Sequence, residues 1–114
     1  MAILICTKTC TTCRKGVALL DDHNIDYEYR EYKKNPLSLA ELQDLMQKLN
    51  VPANTLLRKR DKAYKENGLT GTEDDSTLLA LFVEHPTLMQ RPIFVNGSKA
   101  VVGRPIENML TIAN

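Results

Sequence analysis

The residues best suited to chemistry in this chain are its three cysteines, Cys6, Cys10 and Cys13, which lie close together near the N-terminus. Cys10 and Cys13 form a Cys-x-x-Cys pair that follows a short apolar run and precedes a helical pattern. A thiol at a helix start meets unpaired backbone N–H groups and a partial positive charge, so it ionises more easily to the reactive thiolate. The pair therefore predicts thiol redox chemistry, in which Cys10 attacks and Cys13 resolves by closing a disulfide.

Other uses of clustered cysteines fit this chain less well. A structural disulfide across so small a loop would stabilise little, and nothing in the sequence indicates secretion. A zinc site needs four ligands, and His23 and His85 are not spaced as in a zinc finger. The spacing Cys6-x3-Cys10-x2-Cys13 also matches an iron–sulfur pattern of radical enzymes, but that chemistry needs a barrel of about 200 residues or more. We therefore expect no bound metal or cofactor, and we interpret Cys6, at the end of a strand, as a small buried hydrophobe.

Composition predicts one domain of an ordinary globular class. The chain has 114 residues, of which 43% are hydrophobic, and its 15 basic and 14 acidic side chains leave a net charge of +1. That balance gives no electrostatic reason to expect direct binding to nucleic acid or to a membrane surface. No apolar run approaches the ~20 residues of a membrane span. The odd cysteine count and the lack of an export signal predict a reducing cytoplasm.

Hydrophobic patterning predicts four strands and several helices. The strands are expected over 2–6, 25–32, 90–95 and 99–103, with Asn96-Gly97 as the hairpin turn between the last two. Helices are expected over 10–23 and 38–49, the second opened by a capping box at Ser38 and carrying Leu39 on its apolar stripe. Short helical turns follow at 53–57 and 61–66, then a helix ending near Glu84. A last helix has Pro105 in its first turn.

This order of elements predicts an α/β fold with a thioredoxin- or glutaredoxin-like mixed four-stranded sheet and an inserted helical subdomain. We expect a single domain over 1–114, with the core at 1–34 and 89–114 and the helical insertion at 35–88. The first two strands should be parallel, because a helix connects them, and the last two antiparallel. The Arg91–Pro92 bond is a candidate cis peptide, since a cis proline facing the active thiol is a feature of this architecture.

Several separated motifs match one known family in order along the chain. They are Cys10 after the first strand, Asn35-Pro36-Leu37-Ser38, Leu56-Leu57-Arg58-Lys59, Tyr64-Lys65-Glu66-Asn67-Gly68-Leu69, His85-Pro86, Arg91-Pro92-Ile93 and Gly103-Arg104-Pro105. With these motifs the chain resembles the arsenate reductase family of the glutaredoxin-linked type, ArsC, which also contains the Spx transcription regulators. The resemblance covers essentially the whole chain.

The resemblance implies a thiol-dependent oxidoreductase that reduces arsenate to arsenite. In such enzymes the cysteine at the place of Cys10 attacks arsenate, and glutathione with glutaredoxin supplies the electrons. Three arginines of the family bind the oxyanion, and they correspond here to Arg58, Arg91 and Arg104. Arginine suits this task because its planar guanidinium binds oxyanions through two parallel hydrogen bonds and stays charged.

Two positions depart from the family pattern and leave alternatives open. Cys6 stands where these reductases usually have a histidine, and Cys13 stands where they usually have a serine. Cys13 makes the site resemble the Spx branch, in which Cys-x-x-Cys is a redox switch, and an internal Cys10–Cys13 disulfide could make thioredoxin the reductant. One alternative is therefore an Spx-like redox-sensing regulator that binds the RNA polymerase alpha subunit. Another is a glutathione- or thioredoxin-linked redox protein with little arsenate activity.

Overall fold

The computed structural model describes residues 2–113, which group into two compact units. The first unit comprises the residues up to Asn35 together with those from Arg91 onward, and the second comprises Pro36–Gln90. Within residues 2–113, no helix has both the length and the apolar character needed to cross a lipid bilayer.

The first unit contains a mixed four-stranded sheet with one α-helix and one 3₁₀ helix. Its elements are β1 (Ala2–Cys6), α1 (Thr11–Asp22), β2 (Glu28–Glu31), β3 (Ile93–Asn96), β4 (Lys99–Val102) and a 3₁₀ helix at Ile106–Ile112. The strands run in the order β2-β1-β3-β4, with β1 parallel to β2 and antiparallel to β3, and with β3 antiparallel to β4. The predicted sheet and its strand directions are confirmed.

One buried cluster of this unit lies on one face of the sheet. Residues at alternate positions of β1, including Leu4 and Cys6, point to that face, as does Phe94 of β3. Leu20 of α1 and Met109 of the 3₁₀ helix complete the same buried cluster. The apolar run of β1 is central and almost wholly buried, as its sequence predicted.

The strand β2 is shorter than its alternating sequence predicted. Pairing with β1 begins only where Ile3 lies opposite Glu28, and β1 itself begins at Ala2. The residues before Glu28 therefore have almost no strand beside them. Ile25 instead donates its backbone N–H to the carbonyl of Leu20 at the end of α1, at 3.0 Å.

The hairpin turn is shifted by one residue from the prediction. Asn96 still pairs with Lys99 in the ladder, so the two turn residues are Gly97 and Ser98 rather than Asn96 and Gly97. Gly97 has a φ of +64°, which a residue without a side chain adopts at little cost.

The last helix is a 3₁₀ helix, and Pro105 lies outside it. Pro105 has extended backbone angles and caps the helix that begins at Ile106, so its predicted place in the first turn is wrong. The strand β3 likewise begins at Ile93 and not at Gln90. The backbone N–H of Gln90 donates instead to the carbonyl of Leu56, at 2.6 Å, and so is not available to the sheet.

The second unit is mainly helical. Its elements are α2 (Leu39–Leu49), α3 (Lys62–Glu66), α4 (Asp75–Glu84) and 3₁₀ helices at Ala53–Leu56 and Pro86–Leu88. Ser38 and Glu41 form the predicted capping box of α2. Leu39 is 47% exposed, because it is the first residue of α2, so its predicted place in the buried stripe is wrong. An isolated β-bridge joins Leu57 to Met89, so the unit is not wholly helical.

Candidate active site

Cys10 lies at the N-terminus of α1, where the sequence predicted the reactive thiol. It is the N-cap residue with extended backbone angles, and its carbonyl accepts the backbone N–H of Arg14 at 3.1 Å. Its own N–H donates to the carbonyl of Thr7 at 3.2 Å, which closes the loop after β1. The side chain is partly exposed, so a small substrate can reach Sγ beside the free N–H groups of the helix.

Cys13 and Cys6 are buried behind Cys10 in the core cluster of the first unit. Cys13 is 1% exposed and Cys6 is not exposed, and Cys10 packs against the same cluster. Cys6 and Cys13 belong to the same buried cluster, and all three cysteines are free thiols.

The pKa values of the two buried thiols are shifted in opposite directions. The interaction with Cys6 lowers the pKa of Cys13 to about 7, although burial opposes this. The backbone N–H of Thr7, the side chain of Cys10 and the positive charge of Arg91 also favour the Cys13 thiolate. The interaction with Cys13 and burial raise the pKa of Cys6, which therefore stays protonated.

Arg91 is a buried cation whose guanidinium interacts with Cys10. It is 8% exposed, and its Nη1 donates to the Tyr32 hydroxyl at 2.8 Å. Burial works against the charge, but hydrogen bonds to Cys10 and Tyr32 outweigh it and raise the pKa of Arg91. Tyr32 is itself 1% exposed, so it holds the guanidinium in a fixed position. Sequence reasoning did not identify Tyr32, although it is the last aromatic residue of the alternating segment.

Arg104 connects Arg91 to Cys10. Its Nε donates to the carbonyl of Arg91 at 2.8 Å, and its Nη2 lies 4.0 Å from the Sγ of Cys10. The backbone N–H of Gly103 donates to the carbonyl of Pro92 at 2.8 Å, which brings the two Arg-Pro segments together. The Arg91–Pro92 bond is cis as predicted, and the Arg104–Pro105 bond is also cis, which was not predicted.

The loop between Cys6 and Cys10 is held by Glu31, which sequence reasoning also missed. One carboxylate oxygen of Glu31 accepts the backbone N–H of Lys8 at 2.9 Å and the hydroxyl of Thr7 at 3.4 Å. Glu31 lies opposite Cys6 in the parallel ladder. The end of β2 therefore positions the loop that presents Cys10.

Arg58 belongs to the second unit. Its Nη1 donates to Asp61 at 3.2 Å and to the carbonyl of Thr87 at 3.0 Å. The assignment of Arg58 to oxyanion binding therefore stays a prediction. Cys10, Cys13, Arg91 and Arg104, in contrast, meet within the first unit.

A groove of about 460 Å³ lies beside Cys13. Its lining is mostly apolar and includes Val17 and Tyr29, with the cationic residues Lys8 and Arg14 also present. Among residues 2–113, no group of three or more His, Cys, Asp or Glu side chains is arranged to hold a metal ion. The chemistry available here is that of thiols, guanidinium groups and helix N–H groups, which together can bind an oxyanion and form a disulfide.

Comparison with known proteins agrees with this geometry. The ArsC family matches residues 6–112. An arsenate reductase of Neisseria meningitidis is 38% identical over 102 residues, which cover 88% of this chain and 87% of that protein. The structure of an arsenate reductase from Vibrio cholerae superposes with a TM-score of 0.91 at 32% identity, covering 97% of this chain and 96% of the other.

Transcriptional regulators are also among the proteins that this chain is similar to. The global transcriptional regulator Spx 2 of Bacillus cereus is 28% identical over 104 residues, which cover 90% of this chain and 79% of that protein. The family match spans nearly the whole chain, and the likeness to the Vibrio cholerae structure extends over both units. The chain, with its thioredoxin-like fold, therefore belongs to the ArsC family.

Proposed function

We propose that this protein is a thiol-dependent arsenate reductase in which Cys10 is the nucleophile. The observation that carries the proposal is the approach of two guanidinium groups, those of Arg91 and Arg104, to the Cys10 sulfur at a helix N-terminus. Fixed cations and N–H donors around a reactive thiol suit a tetrahedral oxyanion. The likeness to arsenate reductases over most of the chain supports the same substrate.

The first step forms a bond between sulfur and arsenic. The Cys10 thiolate attacks the arsenic atom of arsenate and displaces one oxygen as water, which leaves a thiol–arsenate adduct with arsenic still pentavalent. Arg91 and Arg104 bind the remaining oxygens and stabilise the negative charge that develops in the transition state. Tyr32 keeps Arg91 in place, so little reorganisation is needed when the charge forms.

The second step reduces arsenic with two electrons from two thiols. The Cys13 thiolate attacks Cys10 Sγ, a Cys10–Cys13 disulfide forms, and the electron pair of the sulfur–arsenic bond passes to arsenic to give arsenite. An external thiol then reduces the disulfide. It attacks Cys10, because Cys10 is partly exposed and Cys13 is buried. The reductant is a thiol of the thioredoxin or glutathione–glutaredoxin type, with no cofactor bound to this protein.

Arsenate-dependent oxidation of NADPH tests this proposal. The purified protein is assayed once with thioredoxin and thioredoxin reductase, and once with glutathione, glutaredoxin and glutathione reductase. We expect turnover in at least one system, none with Cys10→Ser, and, with Cys13→Ser, turnover only in the glutathione system. Arsenate turnover that survives Cys10→Ser would refute the assignment of the nucleophile.

The predicted role of Arg58 is tested in the same assay, with Arg60 as the matched control. Both arginines lie in the same short segment between two helices of the second unit. If Arg58 binds the oxyanion, Arg58→Gln raises the KM for arsenate by about 10-fold or more, the value of one charged hydrogen bond, and Arg60→Gln leaves it unchanged. Equal effects of the two substitutions would exclude a specific role for Arg58.

A second candidate function is that of a redox-sensing regulator. The Cys10-Thr11-Thr12-Cys13 dithiol and the likeness to Spx 2 favour it. It predicts that the protein binds the RNA polymerase alpha subunit and that oxidation of the dithiol alters that binding. Polymerase binding that changes with peroxide, without arsenate turnover, would favour the regulator. Disulfide formation without polymerase binding and without arsenate turnover would indicate a redox protein that acts on another substrate. In each case we propose the cytoplasm as the compartment, because all three cysteines are free thiols.

A further inference from the structure

We propose that the groove beside Cys13 is the docking site for a dithiol protein reductant that presents an apolar side chain flanked by acidic residues. The groove has a volume of about 460 Å³ and is lined by Lys8, Cys13, Arg14, Val17 and Tyr29. All of these residues belong to the first unit, as does Cys10. The docking site rests on the proposed function only for the oxidised state, the Cys10–Cys13 disulfide that such a partner reduces.

The groove lies along the same side of α1 as Cys10. The three residues of α1 that line it are three, four and seven positions after Cys10, namely Cys13, Arg14 and Val17. Residues at these spacings face the same side of a helix. A partner that is seated in the groove therefore lies next to the sulfur that it must attack.

The floor of the groove is mostly apolar. Val17 of α1 and Tyr29 of β2 are partly exposed, and both also pack against the buried cluster that contains Cys13. Because this cluster holds their inner sides, their exposed sides form a fixed surface. A preformed apolar surface of this kind binds an apolar side chain of a partner, since docking removes both from water.

The edge of the groove is cationic. Lys8 and Arg14 are both exposed, and within residues 2–113 neither side chain forms a salt bridge with a carboxylate. Glu31 contacts the backbone N–H of Lys8 rather than its ammonium group. Two exposed cations without an acidic partner in this part of the chain attract acidic side chains of another protein and speed its encounter.

A protein fits this site better than a small thiol does. Val17 is seven residues after Cys10, which corresponds to about 10 Å of α-helix. A ligand that reaches the Cys10 sulfur and also fills the groove must span that distance. A small thiol has no need of the groove, because Cys10 is partly exposed.

Reduction in the docked complex uses two thiols of the partner. The first thiolate attacks Cys10 Sγ, the Cys10–Cys13 bond breaks, and Cys13 leaves as a thiolate. The attack falls on Cys10, because Cys13 is 1% exposed. The partner's second thiolate then attacks the partner's own sulfur in the mixed disulfide and releases the Cys10 thiolate. The partner loses two electrons and two protons, and Cys10 and Cys13 gain them.

The rate of disulfide reduction by thioredoxin tests the docking site. The protein is oxidised with peroxide to the Cys10–Cys13 disulfide, and its reduction by thioredoxin or by dithiothreitol is followed by acid quench, alkylation and mass spectrometry. Arg14→Glu reverses a charge at the groove. Lys15→Glu is the matched control, because Lys15 is exposed on the same helix and is not among the described residues that line the groove. We expect Arg14→Glu to slow reduction by thioredoxin about 10-fold, and Lys15→Glu less than about 2-fold.

Salt and small thiols separate docking from other effects. Raising the ionic strength from about 0.05 M to about 0.5 M should slow the reduction of wild type by thioredoxin and close most of its gap to Arg14→Glu. Reduction by dithiothreitol should be the same in wild type and both variants. Equal slowing of Arg14→Glu and Lys15→Glu, equal slowing with both reductants, or reduction by thioredoxin no faster than by dithiothreitol would each overturn the proposal. Reduction by glutathione with the same dependence on Arg14 would also overturn it and assign the groove to a small anionic thiol.

Arsenate takes no part in these measurements. Slowing of Arg14→Glu that is specific to thioredoxin, without arsenate turnover, would therefore refute the proposed function and leave the docking site standing. A protein that forms no Cys10–Cys13 disulfide would contradict both the docking site and the resolving role of Cys13.

Discussion

Replacing Gly103 with alanine should disturb the candidate active site, because the added Cβ would clash with Pro92 and Met109. A Cβ at position 103 would lie 2.8 Å from Cγ of Pro92 and 3.1 Å from Cγ and Sδ of Met109. A proline ring cannot bend away as the end of a long side chain can, and Met109 is fully buried. The Gly103 backbone is also tied to the carbonyl of Pro92 at 2.8 Å. The Arg91-Pro92 segment, the Gly103-Arg104 segment or both must therefore shift.

Overpacking sets the expected loss of stability, and the displacement of the two arginines sets the expected loss of turnover. Overpacking a core costs about 1–3 kcal/mol, which lowers the melting temperature of a domain of this size by roughly 5–15 °C. Arg91 precedes Pro92 and Arg104 follows Gly103, so the clash also displaces the guanidinium groups. A shift of about 1 Å in a positioning group can cost about 100-fold in rate, so we expect kcat/KM for arsenate to fall about 10- to 100-fold.

Thermal unfolding and arsenate kinetics of Gly103→Ala check this, with Gly16→Ala as the matched control. At Gly16 the nearest atom to an added Cβ is the flexible Cε of Met109 at 3.1 Å, and alanine favours the helix by about 1 kcal/mol. Met109 Cε must still shift by a few tenths of an ångström, so the control should lose less stability than Gly103→Ala. Gly103→Ala with wild-type melting temperature and turnover would refute the argument.

Three other changes should have effects that separate the parts of the site. Arg104→Lys loses the Nε donor to the Arg91 carbonyl and the planar guanidinium near Cys10, so KM for arsenate should rise about 10-fold in initial-rate assays; an unchanged KM would contradict this. Tyr32→Phe removes the hydrogen bond to Arg91 and should lower the free energy of unfolding by about 1.5–3 kcal/mol in urea titrations; an unchanged unfolding midpoint would count against it. For the reduced protein, the pKa of Cys13 is about 7 when folded and near 9.0 when unfolded, so the unfolded chain binds more protons between these values. Its free energy of unfolding should therefore rise by up to about 2 kcal/mol from pH 7 to pH 9, and this rise should be absent in Cys13→Ser.

Much of the local structure was predictable because it depends on residues close together in the chain. Ser38 and Glu41 are three positions apart and cap α2 as their sequence predicted. Asn24, just after the end of α1, has a φ of 55°, which asparagine tolerates better than most residues. The apolar run of β1 predicted a central strand, because only a strand covered on both faces is apolar at successive positions.

The ends of the strands were less predictable, because the neighbouring strand decides where pairing begins and stops. The alternation over 25–32 is a property of the segment, but the length of β2 depends on where β1 can pair with it. The hairpin turn includes Ser98 because the ladder continues through Asn96 and Lys99. Hydrogen-bond pairing between neighbouring strands decided where each strand ends. The side-chain pattern of a single segment does not contain that information.

The sequence by itself determined the fold class, the family, and the dithiol at the start of α1. Only the tertiary structure decided what surrounds that dithiol. Tyr32 meets Arg91 across 59 positions of sequence, and Arg104 meets Cys10 across 94. Cys6 was predicted to be buried, and it is, but its place in one buried cluster with Cys13 depends on how α1 packs against the end of β1. Local patterns report burial and helix starts, whereas the direction and partner of a buried polar group depend on packing between distant segments.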